Sequence, residues 1–344
     1  MSPAPTSRRA VLRGATTGAA VLAAAGIGAG PAHAGPAHAG PGRAGFTNPV
    51  IASNHPDPGI LATGDWFYLY STAGSMGHMP VLRSRDLISW EERGNAMPVI
   101  AAWSTAGRHW APEVIAHGEQ FHAYYTARDT ASGRQAVGVA VADHPEGPFV
   151  DDRDAALLVQ AEEGGAIDPS PFRDEDGQLW LLWKNDGNAA GLPSYLYAQR
   201  LSEDGFELVG ERIRVLERDQ PWEIYTIEGP AVISHRGRYY LFYSAGEYWN
   251  ESYGVGVAVA DSVAGPWRKL SDTPVLAAND VAAGPGHGMP VRTRTGLWYV
   301  YHAWDPEHIG QDPGRLVWLS KVRIDDDGVR IDGPSIDNPQ RPVR

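Results

Sequence analysis

WFYLYST (66–72), FHAYYTA (121–127), LWLLWKN (179–185), YYLFYSA (239–245) and LWYVYHA (297–303) are five versions of one pattern. Each alternates aromatic or aliphatic residues over about seven positions and ends on a polar or small side chain. Period-2 alternation of β-branched and aromatic residues is the signature of a strand, and no 12-residue helical pattern competes. Each segment follows a turn: Gly64-Asp65, Gly118-Glu119, Asp176-Gly177, Arg236-Gly237 and Thr295-Gly296. A third strand is expected after each, at 80–84, 136–142, 195–201, 254–260 and 315–321. The second and fourth of these end alike, VAVADHPEGPF (139–149) and VAVADSVAGPW (257–267). Five repeats of about 50–60 residues with four short strands apiece predict an all-β, five-bladed β-propeller of antiparallel blades around a central channel. A β-sandwich or β-helix is the competing arrangement.

The rest of the 344-residue chain agrees with one large β domain. Hydrophobic residues make up 43% and charged residues 20%, enough apolar material for a large core. The net charge of -12 offers no basic footprint for nucleic acid and none for anionic lipid. With no cysteine there are no disulfides, thiolate metal sites or thiol nucleophiles. The aromatic set is rich in tryptophan (12 Trp, 14 Tyr, 7 Phe), which suits both strand packing and stacking on sugar faces. At the N-terminus, SRRAVLR (7–13), an Ala/Gly-rich run and Ala32-His33-Ala34 read as an export signal of twin-arginine type over 1–34. PAHAG occurs twice, so cleavage after Ala39 is the alternative. A flexible linker is expected over 35–45 and the propeller over 46–344, acting outside the cell as a monomer.

The openings of the repeats carry the chemistry. They read HPDPGI (55–60), WAPEVI (110–115), IDPSPF (167–172), IEGPAV (227–232) and GHGMPV (286–291). Each sets one ionisable residue beside or near a proline or glycine where the innermost strand begins: Asp57, Glu113, Asp168, Glu228 and His287. These lie 56, 55, 60 and 59 residues apart. Because the first strand of each blade lines the channel, the five side chains are expected to converge at one end of the axis. As isolated motifs they would be ordinary turn acids; at the period of the repeat they form a cluster. Four carboxyls and a histidine so crowded shift one another's ionisation. Paired carboxyls in a cleft suit glycoside hydrolysis, one protonating the leaving oxygen and another activating water.

At these residues the sequence resembles glycoside hydrolase family 43, through Asp57 in HPDPG, Asp168 in IDPSPF and Glu228 in IEGP. The resemblance implies an inverting mechanism: Asp57 as general base, Glu228 as general acid, and Asp168 as the residue that orients that acid and modulates its pKa. Base and acid would then stand roughly 6.5–9.5 Å apart to admit a water. His287 resembles the family's channel histidine, which in some members sits beside a calcium or other metal ion; no cofactor is needed for the chemistry itself. Arg315 resembles an arginine that reaches the sugar in exo-acting members, with a blade-edge ion pair as the plainer reading. Trp110, Glu113 and His287 are expected to touch the sugar, and Trp103, His109, Trp222 and Tyr248 are candidate rim contacts. Invertase-like propellers carry a cysteine after their acid, where Gly229 stands here. Sialidases need an arginine cluster and usually six repeats. A non-catalytic carbohydrate-binding propeller would not need acids at the repeat spacing. WKND (183–186) and the spacing of the acids most resemble exo-acting α-1,5-L-arabinofuranosidases, which implies α-L-arabinofuranosyl linkages in plant cell-wall arabinan or arabinoxylan as the substrate. β-D-xylosidase and endo-arabinanase activities are the alternatives, the former disfavoured because no further domain follows the repeats.

Overall fold

A computed structural model describes residues 45–344; the export signal, and all of the linker but Gly45, lie outside the described residues. The five aromatic segments are the second strands of five antiparallel sheets. Blade one comprises Gly59–Thr63, Trp66–Tyr70, Pro80–Ser84 and Trp90–Asn95. Blade two comprises Ser104–His117, Gln120–Asp129 and Gln135–Ala142, its fourth strand reduced to a bridge between Val141 and Val150. Ala166–Arg173, Leu179–Asn185, Tyr195–Leu201 and Leu208–Glu217 form blade three. Thr226–His235, Arg238–Gly246, Gly254–Ala260 and Arg268–Lys269 form blade four. Ala283–Thr293, Gly296–Trp304, Leu316–Asp325 and Gly328–Asp332 form blade five. Helix among the described residues amounts to two 3-10 turns, Ala161–Glu163 and Gly187–Ala190, and no helix there is long and apolar enough to cross a membrane.

Burial follows from the ring. A sheet in a propeller has neighbours on both faces, so its strands are apolar on both sides rather than alternately. Five apolar clusters result, one for each interface between adjacent blades. Tyr70, Val114 and Tyr125 meet between blades one and two, and Val139, Leu181 and Trp183 between two and three. Trp180, Val232 and Leu241 fill the next interface, Phe242, Tyr299 and Trp318 the fourth. Leu69, Phe67 and Trp298 close the circle between blades five and one. Most of the tryptophans are thus spent on packing: Trp183, Trp298 and Trp318 are fully buried. The matching ends of blades two and four have a packing reason as well. A Cβ on Gly138 or Gly256 would lie 2.6 or 2.3 Å from the Cζ of Tyr125 or Tyr243, so only glycine lets each ring lie across the third strand.

The ring is locked where its ends meet. Phe46–Thr47 pairs with Asp337–Asn338, and Ile51 bridges to Val317 on blade five. Buried Asn48 donates from Nδ2 to the carbonyls of Leu319 and Ser335 (2.9 and 3.0 Å) and accepts from the Leu319 N–H (2.9 Å). Replacing it leaves three partners without a bond in a dry setting. Asn48→Ala is expected to cost about 2–3 kcal/mol of stability, measured by denaturant unfolding, with KM unchanged because the residue is remote from the channel mouth.

Candidate active site

The site is built from one backbone device used five times. The residue opening each inner strand has a left-handed conformation: Asp57 (φ 57°), Ala111 (43°), Asp168 (55°), Gly229 (57°) and His287 (44°). For residues other than glycine this costs on the order of 1–2 kcal/mol each. In four cases its N–H is taken by a side chain at the end of the preceding blade's second strand. Asp57 N–H donates to His302 Nδ1 (3.1 Å), Ala111 N–H to Thr72 Oγ1 (2.9 Å), Asp168 N–H to Thr126 Oγ1 (3.1 Å) and His287 N–H to Ser244 Oγ (2.7 Å). Blade four differs. The corresponding residue before it is Lys184, which turns to Glu228, and Asp168 Oδ2 accepts the Gly229 N–H instead (3.1 Å).

This register corrects the alignment drawn from sequence. Asp57, Asp168 and His287 are equivalent, but Glu228 stands one residue before the left-handed position and Glu113 two residues after it. Asp57, Asp168, Glu228 and His287 line one cavity of about 360 Å³ together with Trp110, Arg315, Thr72, Lys184, Tyr225, Tyr248 and Trp249. Glu113 is not among the lining residues. It lies further along its strand, bonded to Ser170 Oγ (2.8 Å), where burial pushes its carboxyl up to about 8 despite that bond, Asp168 adding to the rise. Glu113 is thus placed outside the cavity where its sugar contact was expected.

Asp57 is a carboxylate held by four groups. Arg315 donates to Oδ1 (2.8 Å) and Thr72 to Oδ2 (2.6 Å), while the Nδ1 atoms of His287 and His302 lie 3.3 and 3.4 Å from Oδ1. Burial opposes its charge, but Arg315, then His287 and the Thr72 bond, outweigh it and hold the carboxyl well below the usual range. His302 is wholly buried and its own pKa is driven down by desolvation and by Arg315, so it is a neutral ring accepting the Asp57 N–H and not an ion-pair partner. Arg315 thus makes an ion pair with the candidate base itself, its guanidinium 5.0 Å from the Tyr248 ring, rather than one at the blade edge.

The other carboxyls have different surroundings. Glu228 accepts from Lys184 Nζ (3.1 Å) on Oε2 and from Tyr253 OH (2.8 Å) on Oε1. The Tyr253 ring lies parallel to His302 at 5.9 Å, so a continuous packed path links Glu228 to Asp57. Asp168 is pushed up to about 6 by burial and by the charge of Glu228, against the pull of His287 and Lys184. Gly229 is required beside the acid: a Cβ there would lie 2.9 Å from the His287 ring, in a conformation that side chains rarely adopt. Tyr225 is set by the loop before it. There the buried Glu223 carboxylate binds the N–H groups of Asp219 and Gln220, Tyr243 OH and Lys269 Nζ.

Of the rim candidates, Tyr248 lines the cavity. Trp103 is buried, bonded to Asp151; His109 is buried against Tyr125; Trp222 stacks on Tyr243 in the core between blades three and four. Trp249 and Tyr225, which pack edge to face at 5.0 Å, take the places these were expected to hold. Lys184, Thr72 and His302 were missed as site residues. Their signal was the polar side chain ending each aromatic segment. Among the described residues no group of three or more His, Asp or Glu side chains could hold a metal ion, and the Asp57 oxygens beside His287 bond to Arg315 and Thr72.

Such a site, with carboxyls of unlike environment facing one cavity at the axis of a five-bladed propeller, defines a glycosidase. The model of the family described as glycosyl hydrolases family 43 matches residues 46–330, and the chain belongs to that family. It is 30% identical over 274 residues to the β-D-galactofuranosidase xynD of Aspergillus niger, covering 74% of this chain and 75% of that protein. It is 26% identical to the extracellular exo-α-(1→5)-L-arabinofuranosidase ArbA of Cellvibrio japonicus, over 61% of this chain and 65% of that one. Against a xylan 1,3-β-xylosidase of a Vibrio species identity is 27%, and the match spans about half (49%) of that relative's length and 74% of this chain. A crystal structure of a thermostable family-43 glycoside hydrolase superposes with a TM-score of 0.78 at 31% identity, covering 87% of this chain and 99% of that one.

Glu113 supplies a test of the channel's electrostatics apart from catalysis. A carboxyl whose folded pKa is raised from 4.5 to about 8 favours the fold below pH 4.5 and progressively opposes it up to pH 8. Glu113→Gln, which keeps an acceptor for Ser170, is expected to be more stable than the parent by on the order of a few kcal/mol above pH 8 and no more stable below pH 4.5. Thermal unfolding across that pH range measures it.

Proposed function

We propose that the protein is an exported hydrolase that releases α-L-arabinofuranosyl residues from plant cell-wall arabinan or arabinoxylan with inversion at the anomeric carbon. The observation that carries this reading is the contrast between the two carboxyls: Asp57 ringed by Arg315 and imidazoles, Glu228 held by Lys184 and Tyr253, both on one small cavity. Asp57, kept ionised, takes a proton from water as that water attacks the anomeric carbon. Glu228 gives a proton to the departing glycosidic oxygen as the old bond breaks. Asp168, tied to the backbone next to Glu228, orients that acid. Trp110 on one wall and Tyr225, Tyr248 and Trp249 on the other offer apolar faces to a sugar ring. Export is supported by the extracellular relatives from Thermotoga petrophila, Bacillus subtilis and Cellvibrio japonicus.

A second reading, release of β-D-galactofuranose, is favoured by the name of the Aspergillus niger relative. The two sugars share their furanose ring configuration and differ by one exocyclic hydroxymethyl group. Aryl α-L-arabinofuranoside, aryl β-D-galactofuranoside and aryl β-D-xyloside compared side by side decide among these activities. The arabinoside is expected to give the highest kcat/KM, and a higher value on either other substrate overturns the assignment.

The roles of the carboxyls separate by leaving group. Glu228→Gln is expected to lose on the order of 10²–10⁴ in rate on an arabino-oligosaccharide and far less on an aryl glycoside whose phenol leaves unprotonated. Asp57→Asn is expected to damage both alike, since water must be activated whatever departs. NMR of the first-formed sugar is expected to show the inverted anomer. Equal substrate dependence in the two variants, or retention, refutes the assignment.

A further inference from the structure

Lys184 occupies a place in the fold where a lysine has no structural work that a hydroxyl would not do better. Its counterparts Thr72, Thr126, Ser244 and His302 each cap the left-handed N–H of the next blade. The equivalence is fixed by strand register: Thr126, Lys184, Ser244 and His302 pair with Trp110, Ile167, Glu228 and Gly286, each just before its blade's left-handed residue, and the Thr72 N–H binds the Pro56 carbonyl likewise. Only at Lys184 is the rule broken, and it is broken next to Glu228. The side chain is 1% exposed, so its ammonium has lost nearly all its hydration, a desolvation cost that a threonine would not incur.

What the ammonium gains is specific. Glu228 Oε2 lies 3.1 Å from Nζ, and the other charged groups around it are Asp168 on the inner strand of its own blade and Asp186 two residues along its strand. By leaving the Gly229 N–H uncapped, Lys184 also opens that donor to Asp168, which ties the third carboxyl to the residue after Glu228. One substitution in the repeat thus anchors both acidic groups on this side of the cavity.

Resting on the reading of Glu228 as the general acid, we propose that Lys184 is a positioning residue that fixes the Glu228 carboxyl towards the departing oxygen and sets the pH at which that acid stops working. Lys184→Met keeps the stem and removes the charge. With the cation gone, the protonated form of the acid persists to higher pH, so the alkaline limb of the kcat profile is expected to move up by about 1–3 units. At neutral pH kcat on arabino-oligosaccharide is expected to fall more than tenfold, the aryl substrate being affected less, with KM within about threefold. A folded Lys184→Met enzyme with an unmoved alkaline limb overturns the proposal. Lys184→Arg is the control if the methionine variant does not fold. Keeping the charge but displacing it, it is expected to hold the limb in place and to slow the oligosaccharide more than the aryl glycoside; equal slowing of both overturns the proposal. Glu228→Gln run in parallel separates the two ideas. If that variant lacks leaving-group dependence the acid assignment fails, whereas if it shows it and Lys184→Met leaves the limb unmoved, only the role of Lys184 falls.

Discussion

Five backbone N–H groups, each swung towards the axis by a left-handed residue and caught by the preceding blade, are the constraint on which the site depends. The conformation is costly at Asp57, Ala111, Asp168 and His287, and it persists because a side-chain partner at 2.7–3.1 Å takes each N–H. The same bond joins each blade to its neighbour at the channel mouth, as the apolar clusters join them further out. Binding and cohesion therefore come from one geometry. At three of the five positions the left-handed residue also presents a functional side chain, Asp57, Asp168 or His287, to the cavity.

Around that frame the charges are sorted. The guanidinium of Arg315 comes from blade five and meets Asp57 on blade one, across the junction where the ring closes. The ammonium of Lys184 comes from blade three and meets Glu228 on blade four. Two carboxylates on one cavity would otherwise repel; each is given its own cation, and the third, Asp168, absorbs the remaining strain by holding its proton up to about pH 6. Unlike environments for like groups are what acid and base catalysis by one pair of residue types requires. The neutral ring of His302 and the Tyr253 ring packed on it separate the two sides with polarisable, uncharged material.

Much of this was legible in the chain. The aromatic segments specify the second strands because alternation and turn residues are local signals, and Trp66–Tyr70 and Leu179–Asn185 lie where their pattern puts them. Family membership could be read from Asp57, Asp168 and Glu228 because these acids sit beside prolines or glycines that mark strand openings. The error at Glu113 has a definite origin. Spacing along the chain counts residues, while position in the channel depends on which residue carries the left-handed kink, and the pairing shifts between Trp110 and Glu113 and between Glu228 and Ala231. Two residues of offset carried Glu113 past the mouth, whereas one residue left Glu228 within it. Trp103 and Trp222 misled for another reason: an indole is as useful between blades as on a sugar, and residue type alone does not say which face of a loop is turned inward.

A repeat fold offers five equivalent places, yet carboxyls of unlike environment need surroundings that are not equivalent. The symmetry is broken at few points, and each break is a polar substitution against an otherwise apolar or capping pattern. His302 replaces a hydroxyl behind Asp57, so that a ring kept uncharged by burial and by Arg315 backs that carboxylate. Lys184 replaces a hydroxyl behind Glu228 and carries charge instead. Gly229 removes a side chain so that the His287 ring can lie against the backbone beside Glu228. The walls that would meet the sugar, Tyr225 before blade four and Tyr248 and Trp249 in its second loop, stand outside the repeat altogether, on segments whose length the propeller does not constrain. Charge is thus written into the strand ends, where register fixes it to the ring, and aromatic walls into the loops, where they can change without disturbing either Asp57 or Glu228.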